Sequence, residues 1–123
     1  MYLSQSNIDE LREKVEHGGG FQIALVPMQS ETFLNVKLAT DQLYQDLINE
    51  GLTVLVDDRK QKPQNKFEVI AFLKIHHRVV ISSRSISAKV YEYKDLKTDE
   101  FEKIPQTSVV EFLKKRVFDA HNN

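Results

Sequence analysis

Leu52 to Phe67 reads LTVLVDDRKQKPQNKF, and the order of chemistry along it decides the fold. LTVLV is a short, nearly continuous apolar run, the pattern of a strand buried on both faces of a parallel sheet. It ends in Asp57-Asp58, and the basic loop Arg59-Lys60-Gln61-Lys62 leads through Pro63 to a second element. From Asn65 to Leu73 the apolar residues Phe67, Ile70, Ala71 and Phe72 or Leu73 fall at helical spacing and are expected to face inward. Strand, polar loop and helix in this order make half of a β-α-β crossover.

The flanking sequence repeats the unit. Gln22 to Met28 (QIALVPM) is another buried run and the first strand of the series. Thr32 to Glu50 carries Phe33, Leu34, Leu38, Leu43, Leu47 and Ile48 at three-to-four spacing and closes at Gly51, which predicts an amphipathic helix. Arg78 to Ser82 (RVVIS) supplies the third strand. Such an alternation implies right-handed crossovers and a parallel sheet covered by helices.

After Ser82 the pattern changes. Ala88 to Lys94 and Phe101 to Ile104 alternate apolar and polar residues around a turn at Lys97 to Glu100, so two short strands are expected to extend one edge. Thr107 or Ser108 is the expected cap of a last helix through Ala120, whose apolar face is Val109, Val110, Phe112, Leu113, Val117 and Phe118. Ahead of the first strand, Ile8, Leu11 and Val15 mark a short helix with Ser6 or Asn7 as cap, ended by Gly18-Gly19-Gly20. Residues 1–20 are thus expected as a lead-in helix and glycine hinge, and residues 21–123 as one α/β domain.

Length and composition exclude several classes. The 123 residues fit one domain, and 41% apolar with a net charge of −1 rules out intrinsic disorder. No apolar run approaches the roughly 20 residues of a membrane helix, so no membrane partner is expected. Without cysteine there is no disulfide, thiolate zinc site or cysteine nucleophile, and a cytoplasmic setting is expected. The near-zero charge hides an asymmetry. Arg59 to Lys89 holds eight bases and one acid, a formal +7, which leaves −8 on the remainder. A dipolar chain of this kind offers a basic face to a polyanion, although a merely solvated face gives the same count.

No catalytic constellation emerges. The first strand–helix junction, Pro27-Met28-Gln29-Ser30-Glu31, lacks the glycines of a phosphate-cradling loop. Asp57-Asp58 follows the second strand and does not match the acid placement of a phosphoacceptor site, which disfavours metal-assisted phosphoryl chemistry. His76 and His77 are adjacent, so on extended backbone they point to opposite faces and share no metal. Ser82, Ser83, Ser85 and Ser87 follow closely, but no acid is placed to orient a histidine base. The basic loop after Val56 remains. It lies at the C-terminal edge of the parallel strands, where open α/β sheets bind ligands, beside a helix N-terminus with free amides. Cations there hold phosphates, while polar forks and planar groups take splayed bases of single-stranded RNA.

VLVDDRKQKP with Lys66-Phe67, then IHHRVVIS, then YEYKDLKTDE, resembles the C-terminal anticodon-binding domain of class IIa aminoacyl-tRNA synthetases, the prolyl enzymes most of all. The resemblance covers about Phe21 to Arg116. It implies a three-layer α/β/α fold with a five-stranded mixed sheet, one strand antiparallel to the rest. It also implies a partner, the anticodon stem-loop of a tRNA, bound so that the acceptor end reaches a synthetase catalytic domain in cis or in trans. Asp58, Arg59, Lys62, Lys66, Phe67 and Glu68 fall on the loop–helix element that faces the anticodon. Arg59 and Lys66 are assigned to phosphates or guanine edges, and Glu68 to a guanine amino group. Phe67 is either core or a stacking platform, and Asp57 either holds Arg59 or touches a base.

The departures from the family pattern are specific. Pro63-Gln64-Asn65 replaces Pro-Gly, leaving Asn65 as the residue tolerant of positive φ. Lys74 and His76 replace a glycine and a proline ahead of Arg78, Ser82 replaces the strand-terminal glycine, and Leu96 an arginine. Lys74 and His76 are accordingly expected to add general phosphate affinity, and Lys74 and Arg78 are counted among the tRNA-binding residues. The class II catalytic motifs are absent from these residues, so no cofactor is expected in this domain, and ATP and magnesium belong to a separate catalytic domain. The chain then reads as a piece of a prolyl-type proline–tRNA ligase that does not aminoacylate alone. The alternative is a free-standing, drifted copy acting as a protein-interaction or accessory module.

Overall fold

β1 (Ile23–Pro27) is buried at all five positions, and the architecture follows from where those side chains go. Extended backbone sends alternate side chains to opposite faces, so a strand with no exposed residue needs cover on both. Ile23 and Leu25 enter one apolar cluster, Ala24 and Val26 the other. β1 runs parallel to β2 (Val54–Val56) on one side and β3 (His77–Ile81) on the other, with Ile23 opposite both Val54 and His77. β4 (Val90–Asp95) is antiparallel to β3, and β5 (Phe101–Pro105) is antiparallel to β4. The sheet order is β2-β1-β3-β4-β5, and β4 is the one reversed strand. The computed structural model describes residues 1–3 and 7–122, with side chains of the last helix as far as Asp119; Ser6, one expected cap, lies outside the described residues.

Two helices cover each face. α2 (Leu34–Asn49) and α5 (Val109–Asn122) bury Val36, Leu43 and Leu47, and Val109, Leu113 and Val117, against one side. α1 (Ile8–Glu16) and α3 (Pro63–Phe72) bury Leu11 and Ile70 against the other. Each such Leu or Ile contributes about 1.5–3 kcal/mol by leaving water. The expected α/β/α layering is therefore present. α1 is capped by Asn7, whose side chain accepts from the amides of Asp9 and Glu10. Residues 1–3 continue onto the sheet, where Tyr2 bridges Val56, the Val56 amide donates to the Met1 carbonyl at 2.8 Å, and Leu3 is buried.

Several local expectations shift for physical reasons. α3 begins at Pro63, not Asn65, because proline at the first helical position has φ preset and no amide to satisfy. Its inward residues are Lys66 and Ile70, followed by Leu73, while Ala71 is exposed and Phe72 is 47% exposed under the Arg12 guanidinium. On α2 only the stripe Val36, Thr40, Leu43 and Leu47 meets the sheet, so Phe33, Leu34 and Leu38 stay in solvent. Ser108, one of the two expected caps, immediately precedes α5; its carbonyl accepts from the Phe112 amide and its hydroxyl donates to the Pro105 carbonyl at 3.3 Å. The serine run forms an unanticipated short helix, α4 (Ser83–Ser87), started by a reciprocal capping box of Ser82 and Ser85. It sits at the opposite end of β3 from His76 and His77, so these serines and histidines are not neighbours.

Positive φ does not fall at Asn65, which is helical; it falls at Lys74 (φ 58), the residue after the α3 C-cap. A side chain there costs about 1–2 kcal/mol relative to right-handed backbone, a cost glycine avoids. Lys74→Gly is expected to raise stability by about 0.5–1 kcal/mol in urea unfolding.

His77 is a polar residue buried in the core. It is 6% exposed, and Nδ1 shares a 2.8 Å hydrogen bond with the hydroxyl of fully buried Tyr93. Burial holds its pKa below 6.5, with Asp95 pulling upward and His76 and Arg116 reinforcing the drop. The unfolded chain then takes up the proton first, so stability is full above pH 6.5 and declines as pH falls from there through the folded value. Urea midpoints between pH 7.5 and 5 are expected to show this loss, and His77→Gln to flatten it.

Candidate nucleic-acid interface

The loop after β2 and the start of α3 enclose a cleft of about 790 Å³ at the C-terminal edge of the parallel strands. One wall is Arg59 to Lys66, and the other comes from the β1–α2 loop through Met28, Gln29 and Glu31. The site depends on Asp57. Its carboxylate, fully buried at the end of β2, accepts from Arg59 Nε at 2.8 Å and Nη2 at 2.9 Å, and from the Arg59 amide at 3.3 Å. This fork fixes the guanidinium plane and leaves three of its five N–H groups for a ligand. The same hydrogen bond to Asp57 raises the Arg59 pKa. Asp57 therefore holds Arg59, which settles one of the two roles the sequence left open.

Lys66 is placed differently from its expected role. It is 2% exposed, donates from Nζ to the Pro27 carbonyl at 3.1 Å, and ties α3 to the end of β1. Burial lowers its pKa, opposed by Asp57, Glu31 and Asp58. Its ammonium lines the cleft from below, so it is a recessed donor and not a mobile phosphate clamp. The exposed cations at the mouth are Lys60 and Lys62. Lys62 occupies the α3 N-cap position without a side-chain cap, and the first turn of α3 carries no acid. The helix end thus presents uncompensated positive charge to the cleft.

The remaining sequence-chosen residues disperse. Asp58 turns into a separate cavity of about 220 Å³ with Tyr2, Glu31, Lys37 and Asp41, and its Oδ1 is buried there without a hydrogen-bond partner. Glu68 is exposed on the next turn of α3, 3.4 Å from Gln64 Nε2. Phe67 is half-buried against the second cluster, and the Arg78 guanidinium lies 3.8 Å from its ring centroid. One face of Phe67 is therefore already taken by a cation. Arg78 and Lys74 sit toward the other end of β3, away from the cleft. The sequence reading passed over Lys60, Gln29 and Glu31 as cleft residues. The signal for the last two is position alone, since they follow β1 at the crevice beside β2. Among the described residues no three His, Asp or Glu side chains converge to hold a metal, and no helix is long and apolar enough to cross a membrane.

Residues 22–116 match the family model described as the anticodon binding domain, and the chain belongs to that family. Its fold is shared with the prolyl-tRNA synthetase of Cryptosporidium parvum, solved in complex with halofuginone and AMPPNP. The two align with a TM-score of 0.77 and 19% identity over 85% of this chain. The chain spans 22% of that protein's length.

The geometry makes Asp57 the support of Arg59. Asp57→Asn is expected to cost about 1–3 kcal/mol in urea unfolding, because a charge-assisted fork is replaced by one neutral acceptor.

Proposed function

We propose that the chain binds the anticodon stem-loop of a tRNA in the cleft between the β2–α3 and β1–α2 loops, as the recognition unit of a prolyl-type synthetase. The observation that carries this reading is the pre-oriented Arg59 fork flanked by exposed Lys60 and Lys62 at an uncapped helix N-terminus. Arg59, aimed by Asp57, presents hydrogen-bond donors in a fixed plane, the requirement for a guanine edge or a phosphate. Lys60 and Lys62 supply counterion-releasing contacts that hold the backbone without reading sequence. Lys66 contributes a fixed donor at the cleft floor, and Asp58, Phe67 and Glu68 act from its margins. Lys74 and Arg78 lie outside the cleft and meet RNA only along another surface. Chemistry is supplied elsewhere: ATP, magnesium and the aminoacylation step belong to a separate catalytic domain. The cytoplasm is the setting this reading implies.

A second reading draws on a specific observation. Arg59 and Lys66 both satisfy internal partners, which is also what a drifted copy serving as a protein-interaction or accessory module retains for stability alone.

Fluorescence anisotropy with a synthetic proline anticodon stem-loop and an unrelated hairpin separates the two. Arg59→Ala is expected to weaken the cognate stem-loop by about 1–3 kcal/mol and to narrow its advantage over the unrelated hairpin. Lys60→Ala should weaken both hairpins alike and reduce the salt slope by about 1. Equal affinity of the unaltered chain for both hairpins selects the accessory module.

A further inference from the structure

One half of one sheet face carries no helix. α1 and α3 pack over β2, β1 and the near side of β3, whereas the outward residues of β4 and β5 on that face have no helix above them. Phe101 is 54% exposed, and Lys103 and Pro105 are exposed beside it. The register fixes what the face presents. Arg78 stands opposite Lys94, and Lys94 opposite Phe101, so these three form one row across β3, β4 and β5. Val80, Glu92 and Lys103 form the next row. Directly opposed residues point to the same side of a sheet, and neighbouring strands lie about 4.8 Å apart, so Arg78 and Phe101 are about 10 Å from each other.

The first row ends in two planar groups. Arg78 is stacked on Phe67 at 3.8 Å and its Nε is buried without a hydrogen-bond partner. Phe101 has nothing described above it. Between and beside them stand Lys94, paired at 2.9 Å with the highly exposed Asp99, and Lys103, exposed and opposite Glu92 in the ladder. Glu92 is the single acid in these two rows; it faces Lys103 across the ladder and Arg84 at 4.0 Å, so its charge is offset. Phe67, which carries Arg78, is the residue after Lys66 in α3, so this one helix borders both the face and the cleft.

We infer that the uncovered face of β3, β4 and β5 is a second RNA contact: an unpaired nucleotide, outside those held in the cleft, lays its base on Phe101 beside Arg78 while its flanking phosphates meet Lys94 and Lys103. Exposed planar groups on a sheet, interleaved with cations, take single-stranded nucleic acid by stacking that tolerates any base. With Asp99 on Lys94 counted beside Glu92, the face holds three bases and two acids, and the net positive charge sits at Arg78 and Lys103, on either side of the exposed ring, where it is complementary to phosphate. This inference rests on the reading of the chain as an RNA-binding unit, and extends the contact to residues remote from the cleft.

The test measures anisotropy of the full chain with the same synthetic proline anticodon stem-loop and with a single-stranded oligonucleotide. Phe101→Ala is expected to weaken both by about fivefold or more, Phe101→Tyr to restore them, and Lys103→Glu to weaken them and lower the salt dependence. Because Phe101 is exposed, circular dichroism and melting should be unchanged. If Lys60→Ala weakens binding and neither Phe101→Ala nor Lys103→Glu does, the second contact is refuted while the cleft stands. Should the unaltered chain bind neither RNA, the cleft reading fails and this inference with it. If Phe101→Ala leaves RNA affinity intact but changes sedimentation of the free chain, the face is a contact between copies and the proposal is overturned.

Discussion

Everything in this molecule is arranged around a strand that cannot touch water. All five residues of β1 are buried, with alternate side chains in two separate clusters, so a helix layer is needed above and below it. Crossovers of one hand on each side then bring the β1–α2 and β2–α3 loops to the same edge. The cleft is the consequence. It exists where two chain reversals diverge around the end of a strand too apolar to be left uncovered.

The polar groups of that cleft are held by the same constraint. Asp57 and Lys66 are both buried, one at the end of β2 and the other on the inner face of α3; Asp57 is satisfied by the Arg59 fork and amide, Lys66 by the Pro27 carbonyl. A buried charge without a partner is costly, so these contacts are narrow in geometry and leave little freedom. The result is a fixed guanidinium at the rim and a fixed ammonium at the floor. Lys60 and Lys62, free of such obligations, carry the adaptable charge.

The far side of the sheet follows a different rule. β4 and β5 are covered by α5 on one face only, and their alternation of apolar and polar residues records it. Tyr91, Tyr93 and Ile104 face the core, while Lys94, Phe101 and Lys103 face out. Among these the aromatic at the uncovered position is the residue that a purely structural account leaves unexplained.

Periodicity was enough to place all five strands and four of the five helices, because burial on two faces, one face or one stripe leaves distinct spacings; the reversed direction of β4 came from the family resemblance. Apolar content could not say which stripe of α2 or α3 meets the sheet. Leu34, Leu38 and Phe72 are as apolar as Leu43 and Ile70, and only the angle at which each helix crosses the strands decides which are covered. α4 escaped because its start is a side-chain capping box between serines, a local hydrogen-bond pattern without apolar spacing.

For the site, the run from Asp57 to Lys66 marked the right edge of the sheet from sequence alone, since loop position after a buried strand is a topological matter. Charge counting could not tell a solvated cation from one committed to a carboxylate or a carbonyl. Arg59, Lys66 and Arg78 look alike as letters, yet one is forked to Asp57, one donates to Pro27 and one lies on Phe67. Composition and spacing determined that a basic loop sits at the C-terminal edge of the parallel strands. Packing decided which of its charges remain available, because the cost of burying an ion is set by neighbours that are distant in the chain.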